Sequence, residues 1–107
     1  MDRLSRAEEM VMSCLWKAEY PVSSVELREM IREKYHTEWA VQTLSTYIVK
    51  LRDKHYICSK RMNKTSYHFP LIQVGTYRLA LLLDLYERFY YKNKNMIIRD
   101  IEEHDGL

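Results

Sequence analysis

The sequence predicts a mainly helical fold in which three short helices are followed by a β-hairpin and then by two further helices. Three observations support this prediction. Two Ser-x-x-Glu capping signals lie near the N-terminus, apolar residues recur every three or four positions, and two β-prone stretches flank an asparagine. A length of 107 residues fits a small domain with an extension, and we place these two parts at residues 1–71 and 72–107.

The first helix is predicted to begin at Ser5. Ser5 and Glu8 form a capping box, in which each side chain accepts a hydrogen bond from a backbone N–H that the first turn leaves unpaired. The apolar stripe that follows comprises Ala7, Val11, Cys14 and Leu15. Pro21 is expected to end this element, because the residue before a proline is pushed out of helical geometry.

A second capping box, Ser23 with Glu26, begins the second helix, which fades near His36. Its predicted buried side comprises Leu27, Met30 and Ile31. The third helix runs from Trp39 or Ala40 to about Lys54. Its predicted buried stripe comprises Val41, Leu44, Ile48 and Leu51.

The opposite face of the third helix is unusual for a surface without a function. It collects Gln42, Thr43, Thr46, Val49, Lys50 and Asp53. Threonine lowers helix propensity, and Gln, Thr and Lys are side chains that hydrogen-bond base edges and phosphates. This face is therefore predicted to contact DNA through Gln42, Thr43, Thr46 and Lys50.

Two stretches of strand character follow, Tyr56 to Arg61 and Thr65 to Phe69, and Pro70 closes the second. The turn between them contains Asn63, which tolerates a left-handed backbone. Three helices followed by a basic hairpin is the order of a winged helix-turn-helix. The basic residues around the turn, Lys60, Arg61 and Lys64, are predicted to contact phosphates.

The last two predicted helices carry more apolar residues than a small domain can bury. One begins near Thr76, asparagines at 93 and 95 mark a break, and a final helix runs from Met96 to about His104. These helices cannot bury all their apolar residues on a domain that already has a core, so a homodimer is predicted. The predicted dimerisation residues are Leu79, Leu82, Leu83, Tyr86, Phe89, Ile97 and Ile101.

Positive charge is concentrated in the middle of the chain. Residues 42–64 carry six basic side chains and one acidic side chain, a net charge of +5, whereas residues 1–41 carry −2 and residues 65–107 carry −1. Such a footprint is expected of a phosphate-binding surface, although a solvated charged face is the alternative for charge alone.

Several classes of function are not supported by the sequence. The chain has no nucleophile–base set, paired-carboxylate site or glycine-rich loop, so we expect no enzyme and no cofactor. His55 and Cys58 are too few for a metal site, and Cys14 and Cys58 fit a reduced cytoplasm. The longest nearly apolar run, residues 79–83, is far too short to cross a bilayer, so we predict no membrane insertion.

The N-terminal pattern resembles a known family. The residues Ser5-x-Ala7-Glu8-x-x-Val11-Met12-x-x-Leu15-Trp16 look like the opening of the penicillinase and methicillin-resistance repressors and their copper-responsive relatives. The resemblance continues through Trp39, Thr43, Thr46 and Leu51 to Pro70. It implies a bacterial transcriptional repressor that binds a palindromic double-stranded DNA operator as a homodimer.

The resemblance also implies DNA contacts from Gln42, Thr43, Thr46, Lys50 and Lys64. In the β-lactam branch a membrane-bound sensor peptidase cleaves an Asn-Phe bond, which makes such a peptidase a candidate partner. Arg99-Asp100 stands at that place here, so the cleavage chemistry does not carry over. The Cys-x-Cys tail of the copper-responsive branch is absent from the sequence.

Two alternatives stay open at this stage. A winged helix can bind protein instead of DNA, which predicts an apolar patch on the exposed side of the third helix. A non-specific architectural DNA binder is the other alternative, and it would need more basic residues.

Overall fold

The computed structural model of this chain describes residues 2–104. Its elements in chain order are α1 (Arg6–Ala18), β1 (Val22–Ser23), α2 (Ser24–Tyr35), α3 (Val41–Asp53), β2 (Ile57–Met62), β3 (Thr65–Pro70), α4 (Val74–Arg88) and α5 (Lys94–Glu103). The predicted mainly helical class is confirmed, and three helices followed by a hairpin form a winged helix. The chain divides into two compact units, Met1–Gln73 and Val74–Leu107.

Both predicted capping boxes are present. The Glu8 N–H donates to Ser5 Oγ at 3.2 Å and the Ser5 N–H donates to Glu8 Oε1 at 2.9 Å. Ser23 and Glu26 repeat the arrangement at the start of α2. The predicted end of the first helix at Pro21 is wrong by three residues, because Glu19 has a left-handed backbone with φ of 60° and α1 stops at Ala18.

The structure contains a third strand, β1, that was not predicted. The two residues of β1 pair antiparallel with β3, Val22 opposite His68 and Ser23 opposite Tyr67, so that the sheet order is β1-β3-β2. Two residues are too few to show the alternation that identifies a strand. Ser23 also caps α2, which means that one residue ends the strand and begins the helix.

The hairpin is shorter in its turn than predicted. Met62 belongs to β2, and only Asn63 and Lys64 connect the strands. Both have a left-handed backbone, with φ of 50° and 68°, which is the geometry of a two-residue type I′ turn. The prediction that Asn63 occupies a left-handed position is confirmed.

The core of the first unit is formed by α1, α2, α3 and the sheet. Its largest fully buried side chains are Met12, Leu15, Leu27, Ile31, Leu44, Leu51, Tyr56 and Ile57. The prediction that Val41 belongs to the buried stripe is wrong, because this side chain is 59% exposed. Val41 is the first residue of α3, and burial begins one turn later at Leu44. Met30 is only half-buried.

The second unit consists of α4 and α5. The first of these begins at Val74, two residues before the predicted start. Asn93 caps α5, since its side chain accepts from the Asn95 and Met96 N–H groups at 3.1 and 3.3 Å. The Tyr90 hydroxyl donates to Asp100 Oδ2 at 2.7 Å and ties the end of α4 to α5. No helix among residues 2–104 has the length and apolarity needed to cross a bilayer.

Candidate nucleic-acid interface

The exposed face of α3 is the centre of the candidate site. Leu44, Ile48 and Leu51 are buried and fix the rotation of the helix about its axis. Gln42, Thr46 and Lys50 are consequently exposed, as the sequence predicted, whereas Thr43 is half-buried at the edge of this face. Val41 and Val49 are 59% and 43% exposed, so the surface of α3 carries two exposed valines instead of the one expected.

An ion pair anchors the C-terminal end of α3, and the sequence analysis missed it. Lys54 Nζ donates to Glu8 Oε1 at 2.8 Å, and the Glu8 residue is only 3% exposed. Burial by itself raises the pKa of the Glu8 carboxyl, but the hydrogen bonds from Lys54 and Ser5 outweigh it and hold the pKa below its usual range. Among residues 2–104, Glu8 Oε2 is buried without a hydrogen-bond partner.

The N-terminal end of α3 is held by aromatic packing and by α2. The rings of Trp39 and Tyr47 lie 5.0 Å apart between centroids, and Arg28 Nε donates to the Trp39 carbonyl at 2.8 Å. Lys50 Nζ lies 5.6 Å from the centroid of the Tyr47 ring. These contacts show that Trp39 packs against α3 and α2. Trp16 also packs, with its Nε1 donating to the Ile72 carbonyl at 2.8 Å.

One predicted reading residue already uses part of its hydrogen-bonding capacity. The Thr46 Oγ1 donates to the Gln42 carbonyl one turn earlier, at 3.0 Å. A hydroxyl has a single proton to donate, so Thr46 keeps an acceptor oxygen and a γ-methyl group for an external partner. The prediction that Thr46 lies on the exposed face is confirmed, but its hydroxyl proton is taken within the helix.

The hairpin formed by β2 and β3 is the wing of the fold, and its three basic residues do not share one surface. Lys60 pairs with Tyr67 and Arg61 with Ser66, and successive strand residues point to opposite faces of a sheet. Lys60 lines a cavity of about 260 Å³ together with Pro21, Met62, Tyr67 and Phe69. Arg61 points to the other face, and Lys64 lies in the turn, where both faces meet solvent.

A buried histidine supports the sheet beneath these residues and was not predicted. His68 is 2% exposed, with Nε2 at 2.8 Å from Ser24 Oγ and Nδ1 at 2.7 Å from Ser59 Oγ. It therefore links β3 to the start of α2 and to β2. Burial, and to a smaller extent the charge of Arg52, lowers the pKa of His68. No spacing in the sequence distinguishes this histidine from a surface one.

The second unit exposes the apolar residues that the sequence assigns to dimerisation. Leu79, Leu82, Leu83, Phe89 and Ile101 are between 45% and 63% exposed in the single chain. Tyr86 and Ile97 are half-buried. The Arg99-Asp100 bond lies inside α5, with Asp100 held by Tyr90. Residues 2–104 contain no group of three or more His, Cys, Asp or Glu side chains placed to hold a metal ion.

Comparison with known proteins agrees with this architecture. A family model described as Penicillinase repressor matches residues 4–106. The methicillin resistance regulatory protein MecI of Staphylococcus aureus (strain N315) is 23% identical over 104 residues, which cover 97% of this chain and 82% of that protein. MecI of Staphylococcus epidermidis is similar to the same extent, and MecI of Mammaliicoccus sciuri is 22% identical over the same shares of both chains.

Proposed function

The chain belongs to the penicillinase repressor family and is a transcriptional repressor, and from this premise we propose that it binds a palindromic double-stranded DNA operator as a homodimer. The observation that carries the proposal is the exposed face of α3, where Gln42, Thr46 and Lys50 lie together on a helix that is held near its two ends by the Glu8–Lys54 ion pair and the Arg28–Trp39 hydrogen bond. The family is one of regulators, which fits the expectation that the chain is not an enzyme.

Base readout is assigned to α3 because its exposed side chains carry the required chemistry. Gln42 offers an amide that can donate and accept at once, the pattern that pairs with adenine in the major groove. Lys50 offers a cation for guanine or for phosphate. The Glu8–Lys54 and Arg28–Trp39 contacts hold the helix in place before binding, which lowers the backbone entropy that is lost when the helix engages DNA.

Phosphate binding is assigned to the wing and to the N-terminus of α3. Residues 42–64 carry a net charge of +5, and the basic residues other than Lys54, which is paired with Glu8, supply the electrostatic attraction. Since Lys60 and Arg61 point to opposite faces, we assign the wing contact first to Lys64 in the turn. Ala40 gives α3 no side-chain cap, and no acidic residue occupies its first turn, so no acidic group there repels phosphate.

A second copy of the chain is assigned to the apolar surface of α4 and α5. Leu79, Leu82 and Leu83 lie within one turn of each other and are each about half exposed. Fully burying an exposed leucine is worth roughly 1.5–3 kcal/mol, so burying the exposed half of each side chain contributes about half of that, and a symmetric interface counts every residue twice. The dimer places two α3 helices on half-sites about one helical turn apart.

The two alternatives fit the surface of α3 less well. A protein-binding winged helix needs a continuous apolar patch, but the exposed Val41 and Val49 are eight residues apart with polar side chains between them. A non-specific binder has no need of Gln42 on the exposed face.

We also propose that the chain is cytoplasmic. We do not propose that a peptidase cleaves it, because Arg99-Asp100 stands in place of the Asn-Phe bond.

Binding to selected and scrambled DNA tests this function. A duplex is first selected by the full chain from a pool of random sequences, and its affinity is compared with that for a scrambled duplex by fluorescence anisotropy. We expect Gln42→Ala to lose on the order of 1–3 kcal/mol for the selected duplex and little for the scrambled one. Gln73→Ala, an exposed glutamine outside α3, is the matched control and should change neither. Equal losses on both duplexes contradict base readout.

A further inference from the structure

The surface between Gln42 and Lys50 offers methyl groups as well as hydrogen-bonding groups. The hydroxyl proton of Thr46 is donated to the Gln42 carbonyl at 3.0 Å. Because the helix itself takes this proton, the side chain has its γ-methyl and one acceptor oxygen left for a ligand.

Val49 stands beside Thr46 on the same surface. Residues three apart on a helix are neighbours, with about 5–6 Å between their Cβ atoms. The Val49 side chain is 43% exposed, although a β-branched apolar residue lowers helix propensity and gains nothing from contact with water. Neither residue belongs to the buried stripe of Leu44, Ile48 and Leu51 that anchors the helix.

The chemistry of this patch matches one group in the major groove. Among the base edges exposed there, the 5-methyl group of thymine is the apolar one, and apolar side-chain atoms recognise it by contact. The neighbouring Gln42 and Lys50 favour a polar and negatively charged partner over an apolar protein surface.

We propose that Val49 and the γ-methyl of Thr46 together form a contact surface for thymine 5-methyl groups, and so determine part of the sequence specificity. The inference rests on the proposed function, since it assumes that α3 enters the major groove. It assigns Thr46 a role through its methyl group, and it gives the exposed Val49 a role in recognition.

Thymine replacement tests the proposal directly. Each thymine of the duplex selected by the wild-type chain is replaced in turn by deoxyuridine, which removes only the 5-methyl group. We expect the wild-type chain to lose roughly three- to tenfold in affinity at one or two positions in each half-site. Val49→Ala should lose a similar factor on the thymine duplex and show no further loss on the deoxyuridine duplex at the same position.

Variants of Thr46 separate its two functional groups. Thr46→Val keeps the methyl group and should retain affinity for the thymine duplex. Thr46→Ser keeps the hydroxyl group but lacks the methyl group, and its affinity for the thymine duplex should fall by a factor similar to the loss that the wild-type chain shows on deoxyuridine replacement. Val25→Ala is the matched control, because Val25 is 80% exposed in the first turn of α2. It should leave the loss on thymine replacement unchanged.

The outcomes distinguish this proposal from the function on which it rests. Methyl recognition is overturned if the selection yields a consensus sequence but replacing its thymines by deoxyuridine does not change the affinity of the wild-type chain. It is also overturned if Val49→Ala loses as much affinity on deoxyuridine replacement as the wild-type chain does. Both outcomes leave specific DNA binding intact. Loss of affinity in Thr46→Val with retention in Thr46→Ser also overturns it. A selection that yields no consensus overturns the proposed function and this inference together.

Discussion

The two units of the chain differ in the burial of their apolar residues, which are mostly buried in the first unit and mostly exposed in the second. Of the fourteen buried hydrophobic residues among those described, thirteen lie in the first unit, and Tyr77 alone lies in the second. Of the sixteen large hydrophobic residues that are exposed within residues 2–104, ten lie in the second unit. The first unit therefore has a core of its own, whereas α4 and α5 have apolar surface that a single chain leaves in water.

This difference suggests a division of labour. A unit that buries its own apolar residues can hold a recognition surface in place, and the exposed face of α3 lies on such a unit. A unit with exposed apolar helices gains stability by association. We accordingly expect substitutions in the second unit to act through assembly, and substitutions in the first to act through stability or through DNA contacts.

The largest effect is expected from a charge in the second unit. Leu82→Asp should abolish the proposed dimer and lower affinity for the proposed operator by orders of magnitude, because the second half-site contact would then no longer be made at high effective concentration. Analytical ultracentrifugation with and without DNA measures the assembly, and circular dichroism checks that the winged helix persists. Leu71→Asp, at a similarly exposed leucine of the first unit, is the control. A wild-type chain that stays monomeric on a two-half-site operator contradicts the comparison.

A smaller effect is expected from the partly buried ion pair between Glu8 and Lys54 in the first unit. Glu8→Gln removes the charge that pairs with Lys54, and it should lower the free energy of unfolding by about 1–3 kcal/mol. Chemical denaturation of the full chain measures the change. Glu29→Gln breaks the exposed pair with Arg32 and should leave the unfolding midpoint unchanged. Equal effects of the two substitutions would mean that burial does not decide the contribution of the pair.

The wing gives a third effect, which concerns DNA alone. Lys64→Ala should reduce the slope of log affinity against log salt by about one unit on every sequence, since one phosphate contact is lost. The substitution keeps the left-handed strain at this position and removes only the charge. Lys94→Ala, an exposed lysine of the second unit, should leave the slope unchanged. An unaltered slope in Lys64→Ala means that the wing does not touch the DNA backbone.

The smallest effect is a dependence of stability on pH. The pKa of His68 is lowered in the folded state, so the unfolded chain binds this proton first as pH falls below about 6.5. The contribution of His68 to stability is full above that pH and decreases below it. Thermal unfolding between pH 7 and pH 5 should show a flatter profile for His68→Gln than for the wild type. Parallel profiles would contradict this assignment, because the pKa of Glu8 is lowered in the folded state and its contribution to stability is lost only at more acidic pH.

Local signals in the sequence were sufficient for much of the fold. The capping boxes at Ser5 and Ser23 were predicted from four consecutive residues, and the left-handed turn residue Asn63 from its residue type. These features depend on atoms close together in the chain. The position of Val41 was predicted wrongly because helical periodicity does not say where the core ends.

Contacts between distant residues could not be predicted. Glu8 and Lys54 are 46 positions apart, and Ser24 and His68 are 44 apart, and neither pair shows any pattern in sequence. The exposed face of α3 followed from periodicity alone, but the internal hydrogen bond of Thr46 did not, since a threonine hydroxyl can turn toward the backbone or away from it.

Left-handed backbone conformations are common in this molecule and have a consequence for protein engineering. Seven residues other than glycine have positive φ among residues 2–104, and they are Glu19, His36, His55, Asn63, Lys64, Tyr91 and Lys92. Apart from Asn63, whose residue type tolerates this conformation, each such position costs about 1 kcal/mol relative to glycine. Glycine at Glu19 or His36, both at helix ends, offers a stabilising change away from the proposed DNA-binding surface. At Lys64 the same change would relieve the strain and remove a positive charge, so thermostability and the DNA contact proposed for this residue are opposed at the tip of the wing.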